Sequence, residues 1–204
     1  MAYLIAGLGN PGEEYVNTRH NTGRIILELV RKNIGDFSNW KLDETRLPAG
    51  RKIISKGTIA GKKVILVMPD NFMNNSGGSL KSFIKNAKDA ENFVVIHDDL
   101  DLPIGAVRMS FNRGSGGHRG VESIIKNIKT EAFVRIRIGI ATETPSGKLK
   151  KPKGDKDVEK FILGEFKKPE SDILKKVGKK VSEAIVCMLT EGMGKAMSVY
   201  NRAL

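Results

Sequence analysis

Short apolar runs alternate with amphipathic segments along this chain, and the alternation predicts strands and helices in turn. The runs Leu4–Leu8 and Phe93–Ile96 contain only apolar residues and glycine, which is typical of strands buried on both faces of a sheet. Between them, Lys52–Thr58 and Lys63–Met68 flank an Ala-Gly pair and predict a β-hairpin. Further along, Val107–Phe111 alternates apolar and polar residues, as a half-buried strand does.

Helical spacing of apolar residues marks the segments between these strands. Thr22–Ile34 carries apolar residues on one face and is followed by a glycine, which predicts a helix. The same spacing predicts helices after Gly78, after Gly120, at Val158–Leu163 and over about 169–200.

The last predicted strand is Phe133–Ile140, with Arg135 and Arg137 on one face and aliphatic residues on the other. The lysine-rich segment at about 142–156 follows, and we expect a flexible loop there, either a lid or a solvated connection. Strands that alternate with helices around one inserted hairpin indicate an α/β fold. We expect a single three-layer α/β/α domain over residues 1–204, with a twisted mixed sheet flanked by helices.

The composition adds one strong feature, which is the charge. The chain has 204 residues and a formal net charge of +12, from 35 Lys and Arg against 23 Asp and Glu. Such an excess suggests a polyanionic partner, although a lysine-rich surface without a specific ligand gives the same count. No apolar run has bilayer length and the first residues lack the pattern of a signal peptide, so we expect no membrane attachment.

Cys187 is the single cysteine of the sequence and lies in an apolar stretch. It cannot form an intramolecular disulfide, and its surroundings predict a core residue rather than a nucleophile. This cysteine usage fits a cytoplasmic protein.

Three histidines are candidates for chemistry: His20, His97 and His118. Their spacing does not match a helical metal-ligand pair, so a metal site is not indicated. The turn Gly7–Gly12 resembles a dinucleotide fingerprint only in part, because a proline falls inside it and no helix begins there. A serine nucleophile is not indicated either, because no Gly-x-Ser-x-Gly elbow follows a strand.

Hydrolysis by an activated water is the chemistry that these residues favour. A histidine base needs a carboxylate that orients it, and Asp98, Asp99 and Asp101 follow a predicted central strand. Side-chain amides can donate to a carbonyl oxygen as negative charge develops there. The candidates for that task are Asn10, Asn74 and Asn75, each of which could also serve only as a turn residue.

Five ordered motifs together resemble the bacterial-type peptidyl-tRNA hydrolases over Tyr3 to about Tyr200. These are Gly7-Leu-Gly-Asn-Pro-Gly12 with Tyr15 and Thr18-Arg-His-Asn-Thr-Gly23, then Asn71-Phe-Met-Asn-Asn-Ser-Gly77 after Pro69, His97-Asp-Asp-Leu-Asp-Leu-Pro103, Gly116-Gly-His-Arg-Gly120, and Arg135-Ile-Arg-Ile-Gly-Ile140. The resemblance implies an esterase of translation that cleaves the bond between a peptide and the tRNA 3′ ribose and so recycles tRNA from stalled ribosomes. It implies peptidyl-tRNA as partner, no metal or other cofactor, a cytoplasmic location and a monomer.

The resemblance also implies roles for individual residues. His20 is similar to the catalytic base, and Asp98 to the carboxylate that orients it. Asn10 and Asn74 resemble the amides that hold the substrate near the scissile ester. Tyr15 matches the residue that contacts the tRNA end. Met73 lines the peptide cleft, and the segment at about 142–156 falls where the family has a mobile loop over that cleft.

One position departs from the family pattern. Arg119 stands where many members have an asparagine that helps to position substrate or water. An arginine has donors but no acceptor, so we expect it to donate to a carbonyl or a phosphate rather than to accept from water. Together with other cations it could form a phosphate-binding face; these are Arg108, Arg113, Arg135, Arg137, Lys148, Lys150, Lys151 and Lys153.

A second hypothesis from another functional class is an RNA-binding protein on the same fold with impaired catalysis. Arg119 is the local feature in its favour. The presence of His20, Asp98, Asn10 and Asn74 argues against it, because a binding protein has no need of an oriented base. A nucleotide-dependent enzyme that uses the glycine turn would have to bind NAD or ATP, and we expect no such binding.

Overall fold

The architecture is a mixed β-sheet between two layers of helices. The computed structural model describes residues 2–43 and 50–202. Nine strands occur in this part of the chain: β1 (Tyr3–Gly7), β2 (Asp36–Phe37), β3 (Lys41–Asp43), β4 (Lys52–Ile59), β5 (Lys62–Pro69), β6 (Phe93–Pro103), β7 (Val107–Phe111), β8 (Val134–Glu143) and β9 (Leu149–Lys150). Its seven α-helices are α1 (Thr22–Asn33), α2 (Ser76–Leu80), α3 (Ala87–Glu91), α4 (Arg119–Ile128), α5 (Asp155–Ile162), α6 (Lys168–Glu191) and α7 (Met193–Tyr200).

The strand order is β2-β4-β5-β1-β6-β8-β7, with β3 on β4 and β9 on β8. The four central strands β5, β1, β6 and β8 are parallel, whereas β4 and β7 run antiparallel to their neighbours. Carboxyl ends of parallel strands meet at one edge of a sheet, and ligands bind in the crevice outside that edge. The chain therefore delivers the loops after β1, β5 and β6 to one place.

Two apolar cores lie on opposite faces of the sheet. The larger joins the sheet to α1, α6 and α7, and the smaller joins it to α2 and α4. This arrangement confirms the predicted α/β fold with helices on both sides of a mixed sheet. No helix in the described part of the chain combines the length and the apolar character that crossing a bilayer requires.

Close packing fixes the start of α1 against the sheet. A Cβ atom at Gly23 would collide with the carbonyl oxygen of Ile96 and the backbone nitrogen of Leu8. Only glycine therefore lets α1 approach β1 and β6 this closely, and the turn that precedes α1 sits directly above the ends of these strands.

Several predicted elements have different bounds in the structure. β6 continues past Ile96 to Pro103, so Asp98 lies within a strand and not in a loop. The segment Trp40–Gly50, which looks irregular from its sequence, contains β3 at its start, and residues 44–49 lie outside the described part. The lysine-rich segment at 142–156 includes β9, which pairs with the end of β8, and the first residues of α5.

The edge strand β7 is closed by the carboxyl-terminal end of the described chain. The side chain of Asn201 pairs with both backbone groups of Met109: its Oδ1 accepts from the amide nitrogen at 2.7 Å, and its Nδ2 donates to the carbonyl oxygen at 2.9 Å. The guanidinium of Arg108 donates to the backbone carbonyl of the same asparagine. One residue after α7 thus occupies the hydrogen-bonding groups at the middle of the sheet edge.

Candidate active site

A cleft of about 520 Å³ opens at the carboxyl ends of β1 and β6. Its walls come from the loops after β1 and β5, from β6, from the start of α4 and from α5. Six of the residues selected from the sequence line this cleft: Asn10, Tyr15, His20, Met73, Asn74 and Asp98; Arg119 lines it as well. The structure therefore brings seven of the nine predicted site residues together.

His20 and Asp98 form a buried pair. His20 lies in a short 3-10 turn before α1, and its Nδ1 is 3.1 Å from both carboxylate oxygens of Asp98. The two residues are only 7% and 4% exposed. A carboxylate accepts, so Nδ1 carries a proton, and in the neutral ring Nε2 then has the lone pair, which is the tautomer that a general base requires.

His118 is a second imidazole that bonds the Asp98 carboxylate. It is one of the three candidate histidines of the sequence, but the sequence predicts no role for it. Its Nδ1 accepts from the backbone nitrogens of Gly120 at 3.1 Å and Val121 at 3.3 Å, at the N-cap of α4. Its Nε2 must then carry the proton, which it donates to Asp98 Oδ1 at 3.0 Å. The sequence signal for this role is a histidine directly before a helical repeat, preceded by glycines with positive φ at 116 and 117.

His97 completes a group of three imidazoles around one aspartate. Its Nδ1 donates to the backbone carbonyl of Asp98 at 2.7 Å, and its ring centroid is 4.6 Å from that of His118. Burial holds the pKa of His97 well below its ordinary value, and the neighbouring His118 adds to this effect. His97 is therefore neutral, and its side-chain contact with β6 is the hydrogen bond to the Asp98 carbonyl.

The electrostatics of Asp98 follow from these contacts. Burial alone would raise its pKa, but the attraction of His20 and His118 and their two hydrogen bonds hold the pKa well below the usual range. The carboxylate thus remains ionised and can stabilise a positive charge that develops on His20.

Asn10 presents its amide nitrogen to the cleft. Its Oδ1 accepts from the backbone nitrogen of Met73 at 2.9 Å, so the oxygen is occupied and the NH₂ group is left to donate. Asn21 fixes the backbone of Asn10 from both sides, with its Oδ1 at 2.8 Å from the Asn10 nitrogen and its Nδ2 at 2.9 Å from the Asn10 oxygen. Asn21 is therefore a further residue of the site that sequence reasoning did not select.

The loop after β5 supplies the part of the wall next to Asn10. Met73 is buried beneath the cleft floor, whereas Asn74 is exposed at its surface. Phe72 is 57% exposed and meets the ring of Tyr15 edge to face, with centroids 6.3 Å apart. The two rings form an apolar rim at the mouth of the cleft.

Two predicted residues, Arg108 and Arg135, lie outside this cleft. They line an adjoining hollow of about 880 Å³ with Arg113 and Arg137, and this hollow shares Ser115 and other residues with the first. Arg137 pairs with Asp99 at 2.6 Å.

Arg135 is only 5% exposed, so it does not serve as a solvated residue on the face of β8 that carries it. Burial lowers the pKa of this guanidinium, and the nearby Arg137 adds to the effect.

A metal ion does not suit the donors at the cleft, although donor atoms of His20, Asp98 and His118 lie within 4.8 Å of one another. Metal binding requires a free lone pair on each ligand atom. His118 Nε2 carries a proton because its Nδ1 already accepts from two backbone amides, and Asp98 already accepts from two imidazoles. This donor chemistry favours the hydrogen-bonded form of the cluster.

Comparison with known proteins gives one consistent result. The family model described as peptidyl-tRNA hydrolase matches residues 4–204. Curated relatives named peptidyl-tRNA hydrolase include those of Lachnospira eligens, 38% identical with coverage of 98% of this chain and 99% of the relative, and of Aquifex aeolicus, 37% identical with coverage of 98% and 96%. The crystal structure of peptidyl-tRNA hydrolase from Acinetobacter baumannii is similar, with a TM-score of 0.81, 30% identity and coverage of 98% and 95% of the two chains.

Proposed function

Because this chain belongs to the peptidyl-tRNA hydrolase family, we propose that His20 is the general base of the reaction and that Asp98 orients it. The reaction is hydrolysis of the ester between peptide and tRNA, which releases free peptide and free tRNA. The observation that carries the assignment is the buried contact between His20 Nδ1 and the Asp98 carboxylate, which leaves Nε2 unprotonated beside the cleft.

The base acts on a water molecule. His20 Nε2 removes a proton from water as the oxygen attacks the ester carbonyl, and Asp98 stabilises the imidazolium that forms. The tetrahedral intermediate then collapses: its bond to the ribose oxygen breaks, and that oxygen takes the proton from His20. The peptide leaves as a carboxylic acid, and the base returns to its starting form.

Amide donors stabilise the charge on the carbonyl oxygen. The NH₂ group of Asn10 is available to donate because its Oδ1 accepts from the backbone nitrogen of Met73, and Asn74 lines the same cleft. Loss of one such donor costs about 10²- to 10³-fold in kcat in other hydrolases. From this geometry we propose that the amides of Asn10 and Asn74 stabilise the transition state and position the attacking water.

We assign the tRNA end to the mouth of the cleft at Tyr15 and its phosphates to the adjoining hollow. Tyr15 offers a ring at the cleft mouth on which a base can stack, and Arg119 can donate to a carbonyl or a phosphate. Arg108 and Arg135 are proposed to contact phosphate in the adjoining hollow. Asp99 and Glu131 partly offset the buried charge of Arg135, and an anion in the hollow would add to this effect.

The setting follows from the substrate. Peptidyl-tRNA arises in translation, so we propose that the protein works in the cytoplasm. We also propose that it acts as a monomer, since the residues assigned to base, amides and rim all come from one chain.

The test of the mechanism is His20→Ala. We expect turnover of N-acetylaminoacyl-tRNA to fall by about 10³-fold or more, while tRNA affinity and the circular dichroism spectrum stay those of the parent, because only the proton acceptor is removed. Turnover within a few fold of the parent would refute the assignment of His20. Binding of tRNA by the parent without release of free tRNA would instead support the RNA-binding hypothesis.

A further inference from the structure

The loop that carries His20 is joined to the segment between α5 and α6. The backbone nitrogen of Arg19 donates to the carbonyl of Gly164 at 3.0 Å, and the nitrogen of Phe166 donates to the carbonyl of Asn17 at 3.0 Å. These bonds connect residues 17–19 with residues 164–166, which are far apart in the sequence. The residue beside the proposed base is therefore also part of the attachment of α5.

The side chain of Arg19 makes the strongest part of this connection. Its Nη1 donates to the carbonyl of Glu165 at 2.7 Å, and its Nη2 lies 3.0 and 2.9 Å from the two carboxylate oxygens of Glu170 at the start of α6. The guanidinium carbon sits 4.8 Å from the ring centroid of Phe161 and 5.3 Å from that of Phe166. Both partners of the ion pair are largely buried, so the interaction is little screened by salt.

Helix α5 is a surface helix. None of its residues is fully buried, although Phe161 and Ile162 pack against the larger core, and the helix contacts the turn Arg19–Asn21. It forms one wall of the catalytic cleft, to which it and the residue after it contribute Asp155, Val158, Glu159, Ile162 and Leu163. The ion pair of Arg19 with Glu170 therefore adds to these apolar contacts in positioning the wall.

Close packing at Gly164 supports the same point. A Cβ atom there would lie 3.3 Å from Arg19 Nη1 and 3.2 Å from the carbonyl oxygen of Phe161. The absence of a side chain at this position gives the guanidinium room to reach Glu165 and Glu170.

The base itself has separate supports. His20 is held by Asp98, Asn21 is bonded to the backbone of Asn10, and Gly23 locks the start of α1 against β1 and β6. Loosening of the contact between Arg19 and Glu170 would therefore displace the α5 wall more than the base.

We propose that Arg19 is a positioning residue that lets the enzyme accept longer peptides by holding the α5 wall against the catalytic loop. This inference rests on the proposed function. With the tRNA end at the rim near Tyr15, the α5 wall borders the peptide beyond the residue esterified to tRNA. On this assignment a tetrapeptide would contact the wall, whereas a short acyl group would not.

The test compares two substrates on one tRNA, N-acetylaminoacyl-tRNA and tRNA with an N-blocked tetrapeptide. Glu170→Gln keeps the size of the side chain but removes the charge that faces Arg19. We expect kcat/KM for the tetrapeptide substrate to fall about tenfold, the factor of one charge-assisted hydrogen bond, with the change mainly in KM. For the N-acetylaminoacyl substrate we expect kcat/KM within about twofold of the parent.

Asp172→Asn is the matched control, because it makes the same acid-to-amide change on α6 at an exposed ion pair with Lys175. It should leave both substrates at parent values. Equal losses for both substrates in Glu170→Gln, or no loss for either, would overturn the proposal. A parent enzyme without activity on either substrate, or an active His20→Ala variant, would count against the proposed function instead.

Two further variants keep the test independent of folding. Gly164→Ala leaves both charges in place and crowds Arg19, and we expect the same selective loss for the tetrapeptide substrate. Arg19→Lys keeps the charge but has one nitrogen in place of the two that reach Glu165 and Glu170, so its selectivity should lie between the parent and Glu170→Gln. Faster amide hydrogen exchange in α5 but not in α4 is the structural signature that we expect in Glu170→Gln, and equal exchange in α5 would contradict it.

Discussion

At the residue scale, Asp98 is the acceptor that three imidazoles share. Its carboxylate accepts from His20 and His118, and its backbone carbonyl accepts from His97. The sequence identified His20 and Asp98 because a base and an orienting acid are recognisable residue types. It could not identify the bond between His118 and Asp98, because the tautomer of His118 depends on two backbone amides that only the folded start of α4 directs at it.

Asp98→Asn tests this shared role. An amide presents one oxygen and one NH₂ group to two imidazole donors, so one histidine loses its acceptor and the tautomer of His20 is no longer fixed. We expect kcat to fall by about 10²- to 10⁴-fold with KM little changed, as measured by single-turnover release of tRNA. The exposed Asp36→Asn on β2 is the control and should retain parent activity. A kcat within threefold of the parent would show that orientation by Asp98 is dispensable.

At the element scale, the pattern of apolar residues predicted the strands and helices well where one face is buried. The hairpin β4–β5, the strand β7 and the helix α1 have nearly the predicted bounds. In β6 the pattern predicted only Phe93–Ile96. The strand continues through the polar residues from His97 onwards because β8 pairs with them. The burial of Arg135 was also not foreseeable, since it depends on which residues the fold brings around the start of β8.

Helix α1 is tied to the segment that follows it through Glu28. Its carboxylate accepts from Arg31 at 3.0 Å and from Trp40 Nε1 at 2.6 Å, and Lys32 lies at 3.1 Å. Burial opposes ionisation, but these hydrogen bonds outweigh it and lower the pKa of Glu28 to about 2. The charged form is thus the one that the fold stabilises.

Glu28→Gln should therefore destabilise the protein at neutral pH. A depressed pKa contributes stability above the unfolded value near 4.3, and that contribution is lost as pH falls towards the folded value. Because the site is partly solvent-screened we expect about 1 kcal/mol, or a Tm lower by about 2–4 °C at pH 7. Thermal unfolding followed by circular dichroism should show the difference from the parent shrinking between about pH 5 and pH 2. Glu183→Gln, at an exposed position on α6, is the control, and an equal Tm for Glu28→Gln and the parent at pH 7 would refute the prediction.

At the scale of the whole molecule, the cleft that contains His20 and the adjoining hollow that contains Arg135 lie next to each other on one face. They share Asp99, Asp101, Ser115 and Gly116, so a ligand that extends over both crosses a single short border. The net charge of +12 indicated a polyanionic partner, but its distribution depends on the fold, which gathers arginines from β7, β8 and the loop between β7 and α4. Charge neutralisation of phosphate supplies affinity that does not depend on sequence.

Arg135→Met tests the role of the hollow in tRNA binding. The change keeps much of the side-chain volume and removes the buried charge, so we expect Kd for tRNA to rise about tenfold while kcat at saturation is unchanged. The slope of log affinity against log salt should become shallower by about 0.7–0.9, the value of one lost phosphate contact. Lys176→Met, an exposed lysine on α6 outside both cavities, is the control. An unchanged salt slope in Arg135→Met would exclude a phosphate contact at this position.

The two hydrogen bonds between Asn201 and Met109 bear on how the protein associates in crowded solution. β7 is the outermost strand on its side of the sheet, and an open strand edge is a template for pairing with other chains. By mimicking a further strand at the centre of β7, one asparagine side chain removes the donor and acceptor that a second molecule would need. We therefore expect this residue, which follows α7 and does not line the cleft, to disfavour edge-to-edge pairing of β7 between molecules.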